Sequence, residues 1–274
     1  ELDAGRIHYR WDGPEDGPVI VMVHGYSTPN FVFHQNVDAL TGAGFRVLRY
    51  DHFGRGWSDR PRVKYDTEFY DQELLQLLDR LGVIAPIGLV GLSMGGPITA
   101  EFTARRPERV RKLFLFVPAG FDVPGGEGVA AALVRTPIIG DWIWRMFGKA
   151  ILLGSYEGNV MPEPHRQLAG DVEVQMAYRG YGYALLSSLR HFPMSGREET
   201  YQRLGESGVP VRALFGDLDE TVLISSADKL SVAVPAAEIE IIEGGTHQVN
   251  FQRYDEVNPR LVDWFTDETP TSIN

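Results

Sequence analysis

Six short runs of consecutive apolar residues are separated by segments in which apolar residues recur every three or four positions. Most of the runs are continuously apolar rather than alternating, which is typical of strands buried on both faces of a parallel sheet. The runs predict six strands, at residues 18–25, 45–51, 87–93, 110–118, 210–217 and 237–245.

The intervening segments carry the period of an amphipathic helix. Within residues 69–82, Leu74, Leu77, Leu78 and Leu81 fall on one face, and Gly82 ends the pattern. Helical patterns also occupy residues 97–110, 224–235 and 254–267, the first of them broken at Pro107. Strands and helices that alternate over short connections predict an α/β fold, with a mostly parallel sheet flanked by helices on both sides.

This alternation stops between residues 121 and 206. The segment is rich in aromatic and aliphatic residues, follows one predicted strand and precedes another. We interpret residues 121–206 as a helical cap (lid) insertion, and residues 1–120 and 207–274 as the α/β core. Open α/β sheets bind their ligands at the carboxyl ends of their strands, so we expect the cap to cover that edge.

Composition excludes several classes of function. The chain of 274 residues has no cysteine, which rules out disulfides, zinc–thiolate sites and cysteine nucleophiles. Its formal net charge of −11 argues against a nucleic-acid partner. The basic cluster from Arg105 to Lys112 is interpreted as a solvated surface at a helix end.

No membrane span is predicted. The most apolar region, residues 129–153, is interrupted by Arg135, Asp141, Arg145 and Lys149. A soluble, cytoplasmic protein is therefore the expectation. Because the sequence begins at Glu1 and not at a methionine, whether a cleaved leader preceded it is left open.

Residues 91–95 read Gly-Leu-Ser-Met-Gly and lie between a predicted strand and a predicted helix. Glycines on both sides of a serine permit a very sharp turn, and G-x-S-x-G at a strand-to-helix junction is the nucleophile elbow. At other positions in a fold, the same sequence pattern would indicate only a loop that contains a serine without a catalytic role. We therefore take Ser93 as the candidate nucleophile.

A serine hydroxyl needs a base to accept its proton, and the base needs an acid to orient it. Asp219 and His247 each follow a later predicted strand, which gives the order Ser…Asp…His that accompanies this elbow. Asp217 and Asp122 are alternative acids, since each also lies close behind a strand. The remaining histidines form no metal-ligand spacing, so neither a metal nor a cofactor is predicted.

The oxyanion formed during acyl transfer requires backbone N–H donors. The N–H of Met94, directly after the nucleophile, is one candidate donor. The N–H of Tyr26, in the loop after the strand at 18–25, is the other. The Tyr26 side chain could serve as an extra donor or as pocket wall, and we favour the wall.

Five segments together resemble the α/β-hydrolase-fold serine hydrolases, of the carboxylesterase and lipase-like kind with a helical cap. They are HGY at 24–26, DHFGRGWSD at 51–59, GLSMGG at 91–96, GDLDETV at 216–222 and GGTH at 244–247. The resemblance implies that Asp51, Gly54 and Gly56 are architectural. One departure is the segment Tyr-Ser-Thr-Pro-Asn that follows His-Gly, where many relatives have a small or glycine-containing loop.

The cap is expected to determine substrate choice. Its aromatic residues suit either an apolar pocket or the core of the cap itself. The candidates for pocket contacts are Trp142, Trp144, Phe147, Tyr181 and Tyr183.

These residues predict a cofactor-independent hydrolase of small to medium, fairly apolar carboxylic esters, with a small-molecule ester as its partner. Carbon–carbon hydrolysis of a diketone is the principal alternative, and thioester, lactone and peracid chemistry use the same triad. A ligand receptor that kept the fold is a further hypothesis. Oligomeric state is not readable from these patterns.

Overall fold

The computed structural model describes residues 1–125, 128–157 and 165–267. Parts of the predicted cap, at 126–127 and 158–164, and the end of the predicted core, at 268–274, lie outside the described residues.

One sheet contains all seven strands of the described residues, in the order β1-β3-β2-β4-β5-β6-β7. The strands are β1 (Tyr9–Asp12), β2 (Val19–Val23), β3 (Arg46–Tyr50), β4 (Ile87–Leu92), β5 (Val110–Phe116), β6 (Val211–Gly216) and β7 (Glu238–Ile242). Each of the six predicted strands is present. The sequence pattern missed β1, a short edge strand that pairs antiparallel with β3 and alternates too little to stand out.

The helices of the described residues are α1 (His34–Gly42), α2 (Thr67–Arg80), α3 (Gly95–Arg105), α4 (Gly128–Arg135), α5 (Ile139–Glu157), α6 (His165–Met176), α7 (Tyr181–His191), α8 (Glu198–Glu206), α9 (Ser225–Ala233), α10 (Val249–Gln252) and α11 (Tyr254–Thr266). The four predicted helical segments correspond to α2, α3, α9 and α11. Asp66 begins α2 by accepting a hydrogen bond from the Phe69 N–H at 3.0 Å, as an N-cap aspartate does.

The two faces of the sheet carry separate hydrophobic cores. Along β2, Val21 and Val23 belong to one cluster and Ile20 and Met22 to the other, as the two-residue period of a strand requires. Helices α2 and α3 pack into the first cluster, and α1 and α11 pack into the second. Because β4 is buried along its whole length, its carboxyl end is a rigid platform for a site.

Helices α4 to α7 follow β5, and α5, α6 and α7 share a small core of their own, which includes Leu152, Leu168 and Tyr181. Helix α7 is tied to the sheet domain because the Tyr181 hydroxyl donates a hydrogen bond to Ser27 O at 2.8 Å. Helix α8, the last helix within the predicted cap, instead packs against α3 and α9. The division of the chain into core and cap stays a prediction.

Among the described residues, none of the helices combines the length and the apolar character needed to cross a membrane.

Candidate active site

Ser93 sits in a strained turn between β4 and α3. Its φ of 54° lies in the left-handed region, which side chains other than glycine rarely adopt. The flanking glycines make the turn possible. A Cβ on Gly91 would lie 2.7 Å from Gly95 O, and a Cβ on Gly95 would lie 2.2 Å from Val23 O. The glycines thus let the backbone close tightly, and the strain holds the serine at the end of the strand.

His247 bridges Ser93 and Asp219. Its Nε2 lies 2.9 Å from Ser93 Oγ, and its Nδ1 lies 2.8 Å from Asp219 Oδ2. Asp219 follows β6 and His247 follows β7, so the parallel sheet brings together residues that are far apart in sequence. A carboxylate on Nδ1 fixes the tautomer in which Nε2 is free to accept a proton from the serine.

Asp219 is itself held rigidly. Its side chain has no solvent exposure, and its Oδ1 accepts hydrogen bonds from the Thr221 and Val222 N–H groups at 2.7 and 2.8 Å. These donors stabilise the ionised carboxylate, and they direct its other oxygen at the imidazole.

The two alternative acids have other partners. Asp217 accepts a hydrogen bond from the Gly244 N–H at 2.6 Å. Asp122 contacts Lys229 Nζ at 2.6 Å and Ser225 Oγ at 2.7 Å. Only Asp219, of the three aspartates considered, contacts His247.

The two predicted oxyanion donors flank Ser93. Met94 begins the first turn of α3. Tyr26 follows β2 and is adjacent to Gly25, and a Cβ added to Gly25 would lie 3.2 Å from the Cβ of Ser93. The Tyr26 hydroxyl donates to Leu185 O on α7 at 3.0 Å. This contact directs the hydroxyl toward the cap helix, which fits a role as pocket wall. The assignment of the two N–H groups as oxyanion donors stays a prediction.

A cavity of about 520 Å³ opens above Ser93 and His247. Its lining is rich in aliphatic side chains, and helices α4 to α7 contribute Val134, Ile151, Leu152, Leu168 and Leu189. Among the described lining residues, Arg135 is the one side chain with a permanent formal charge. The cavity is therefore suited to an apolar group next to the serine.

Two of the five predicted pocket residues lie at or directly behind this cavity. Trp144 lines the cavity, and Tyr181 is fully buried behind it, packed with the lining residues Leu152 and Leu168. Trp142, Phe147 and Tyr183 are not among the described residues that line this cavity, and their contact with substrate stays a prediction. Trp142 and Phe147 are more than half exposed and contact each other. Tyr183 donates to Val63 O at 3.2 Å on the outside of the cap.

The aliphatic lining residues were missed because aromatic content alone was taken as the signal for a pocket. Helix α4 offered a usable signal. Its sequence from Gly128 to Arg135 is almost wholly apolar, yet none of its residues is buried. A helix of this kind must face an apolar space.

A buried polar network lies beneath the loop that carries Tyr26. His24 Nδ1 donates to Gly25 O at 2.8 Å, and His24 Nε2 accepts from the His52 N–H at 2.9 Å. Burial keeps the pKa of His24 well below its usual range. Neutral His24 thus fixes the start of the loop through hydrogen bonds at both of its ring nitrogens.

His52 in turn contacts Glu73, and both side chains are fully buried. Burial lowers the pKa of His52 to about 3 and raises the pKa of Glu73 to about 8. Glu73 Oε1 also accepts from the Phe53 N–H at 2.5 Å. The pair therefore shares one proton near neutral pH and ties α2 to the loop after β3.

Asp51 organises the turn that follows β3. Its carboxylate accepts from the Asn30 N–H at 2.9 Å and the Trp57 N–H at 3.0 Å. A Cβ on Gly56 would lie 2.0 Å from the same carboxylate, and a Cβ on Gly54 would lie 2.3 Å from that of Ala184 on α7. These contacts are architectural and do not reach Ser93.

Comparisons with known proteins concern the fold. A family model described as alpha/beta hydrolase fold matches residues 18–131. The carboxylesterase YbfK of Bacillus subtilis is 27% identical over 94% of this chain and 83% of its own length. The 2-hydroxy-6-oxononadienedioate/2-hydroxy-6-oxononatrienedioate hydrolase of Paraburkholderia xenovorans is 28% identical over 94% of this chain and 90% of its own length.

Among solved structures, the enol-lactonase of Burkholderia xenovorans superposes with a TM-score of 0.80 at 24% identity, covering 97% of this chain and 98% of that one. Similarity at this level of identity concerns the fold. The segment that the family model matches contains β2 to β5 and the strand–turn–helix at Ser93. The chain has the α/β-hydrolase fold.

Proposed function

We propose that this protein is a serine hydrolase that cleaves carboxylic esters with a small to medium, apolar acyl group. One observation carries the proposal. The Ser93 hydroxyl lies 2.9 Å from His247 Nε2 at the base of a largely aliphatic cavity of about 520 Å³. A serine, a base and an acid in contact beside an apolar cavity are what acyl transfer from a neutral ester requires.

In the proposed reaction, Ser93 Oγ attacks the ester carbonyl while His247 Nε2 takes its proton. The Met94 and Tyr26 N–H groups hold the oxyanion of the tetrahedral intermediate. When that intermediate collapses, the bond to the alcohol breaks and His247 returns the proton to the leaving alkoxide. This step leaves an acyl group on Ser93.

Water then attacks the acyl-enzyme with His247 again as base, and the acid is released as Ser93 regains its proton. Asp219 keeps the imidazole oriented and stabilises its protonated form in both halves of the reaction. No cofactor enters these steps.

The test is a hydrolysis profile with p-nitrophenyl esters from acetyl to palmitoyl, measured for the wild type and for Ser93→Ala. We expect turnover with a clear optimum of chain length and its loss in Ser93→Ala. The melting temperature of the variant should stay unchanged, because only one small polar atom is removed. Activity near the wild-type level in Ser93→Ala would refute the assignment.

Carbon–carbon hydrolysis is a second candidate, favoured by the similarity to the Paraburkholderia hydrolase. The same serine, histidine and aspartate would serve that reaction. Purified protein that leaves every ester intact and cleaves a vinylogous 1,5-diketone in a Ser93-dependent reaction would transfer the proposal to this activity.

A further inference from the structure

A second concave surface lies on the cap beside the active-site cavity. It is a groove of roughly 1000 Å³ lined by Arg60, Arg62, Arg145 and Arg179, which we call the arginine groove. Trp144 lines both the arginine groove and the active-site cavity. One side chain therefore separates four cationic groups from the place where substrate is expected.

The arginines of the groove have no ion-pair partner among the residues that the structure describes. None of the four arginines makes an ion pair with a carboxylate of the described residues, and the one acidic residue of the lining, Asp141, pairs with Arg190 at 3.0 Å. By contrast, Arg105 at the end of α3 and the adjacent Arg106 both contact Asp71. Four unpaired arginines in one groove are unexpected in a chain with a net charge of −11, unless an anionic ligand supplies the opposite charge.

Two of the guanidinium groups are held in place. Arg60 donates to Ser58 O at 3.1 Å and Gly56 O at 2.5 Å, and it lies over the Tyr178 ring with 5.1 Å to the ring centre. Arg62 lies over the Tyr183 ring at 5.6 Å. Arg60 also keeps a buried donor, Nε, that finds no acceptor among the described residues.

Guanidinium groups fixed against aromatic rings lose little entropy on binding, and their planar forks match the oxygens of phosphate. A single carboxylate would neutralise only one of four positive charges. A phosphate monoester carries close to two negative charges at neutral pH, and a diphosphate carries more.

We propose that the arginine groove binds a phosphate monoester or diphosphate group. Because Trp144 forms a wall of both spaces, the groove adjoins the cavity next to Ser93. The phosphate belongs either to a separate ligand or to the part of a substrate that extends beyond the acyl pocket. The binding site itself does not rest on the proposed esterase activity.

Binding is tested by isothermal titration calorimetry with inorganic pyrophosphate at low ionic strength. The wild type is compared with Arg62→Gln and Arg145→Gln, and with Arg80→Gln as the matched control. Arg80 is an exposed arginine at the end of α2 and does not line the groove. We expect about tenfold weaker binding for each groove variant, as the loss of one charge-assisted contact implies, and wild-type affinity for the control.

Two results would overturn the proposal. One is the absence of pyrophosphate binding to the wild type. The other is an equal loss of affinity in Arg80→Gln, which would show that only the overall charge of the protein matters.

The source of the phosphate is identified by kinetics. If pyrophosphate competes with an acyl ester that carries a phosphate on its alcohol part, while the KM of a neutral ester stays constant, the groove serves the substrate. If pyrophosphate changes the KM of both esters alike, the groove binds a separate ligand. These kinetics rest on the proposed ester hydrolysis, whereas the calorimetry does not. The calorimetry therefore tests the phosphate site even if the proposed esterase activity fails.

Discussion

His247 Nδ1 lies 2.8 Å from Asp219 Oδ2, whereas Asp217, only two residues earlier, is bound to the Gly244 N–H. The difference arises where the chain turns after β6. There, the Thr221 and Val222 N–H groups hold the Asp219 carboxylate, and its second oxygen is directed toward the imidazole. Two neighbouring aspartates thus have distinct surroundings, and they make a matched pair for mutation.

Asp219→Asn should lower kcat for ester hydrolysis on the order of a thousandfold or more. An amide at this position favours the wrong histidine tautomer while leaving the volume of the side chain unchanged. Asp217→Asn changes the same charge and should retain most of the activity. Steady-state kinetics on both variants decides the matter, and a larger loss in Asp217→Asn would reverse the assignment of the acid.

Gly95→Ala should destabilise the protein by about 3 kcal/mol and abolish activity. The added methyl group would meet Val23 O at 2.2 Å, so β2 and the nucleophile turn would have to move apart. Gly170→Ala on α6 is the control, because nothing lies within 4 Å of its Cβ. Alanine favours a helix over glycine by about 1 kcal/mol, so this control should be neutral or stabilising. Urea denaturation curves measure both, and equal midpoints would contradict the account of the elbow.

The His52–Glu73 pair predicts a loss of stability in mild alkali. In the folded protein the pair keeps its shared proton until about pH 8, because burial raises the pKa of Glu73 to about 8. In the unfolded chain, Glu73 loses its proton first and His52 loses its proton near pH 6.5, the ordinary pKa of a histidine. Between these values the folded state binds more protons, so stability falls as the pH rises, by about 2 kcal/mol in total.

The measurement is the free energy of unfolding from denaturant titrations between pH 6.5 and 8, for the wild type and Glu73→Gln. Glutamine cannot release the proton, so the slope should flatten in the variant even if its absolute stability is lower. The same slope in both proteins would mean that other groups cause the dependence.

Ala131→Trp should shift the chain-length optimum toward shorter acyl groups. Ala131 lies on α4 and lines the cavity, and an indole at this position would fill part of the cavity volume of about 520 Å³. Val129→Trp provides the control, since Val129 lies on the same helix, is 78% exposed and does not line the cavity. The p-nitrophenyl ester series measures both variants. An unchanged optimum in Ala131→Trp would place the acyl group elsewhere.

The sequence by itself determined the alternation of strands and helices and the positions of the candidate catalytic residues. Buried parallel strands must be continuously apolar, and a nucleophile turn must have small flanking residues, so both leave local marks in the chain. Six strands and the segments around Ser93, Asp219 and His247 could therefore be located without coordinates. The edge strand β1 could not, because one partner strand and a half-exposed surface impose little on its composition.

The tertiary structure alone decided which neighbouring groups meet. The sequence favours Asp219 but leaves Asp217 and Asp122 as alternatives, and only the path of the chain after β6 shows which of them contacts His247. In the cap, Trp144 faces the cavity while Trp142, two residues away, is exposed. Composition specifies that an apolar surface exists, but the packing of helices α4 to α7 against one another and against the loop after β2 determines which side chains enclose the space beside Ser93.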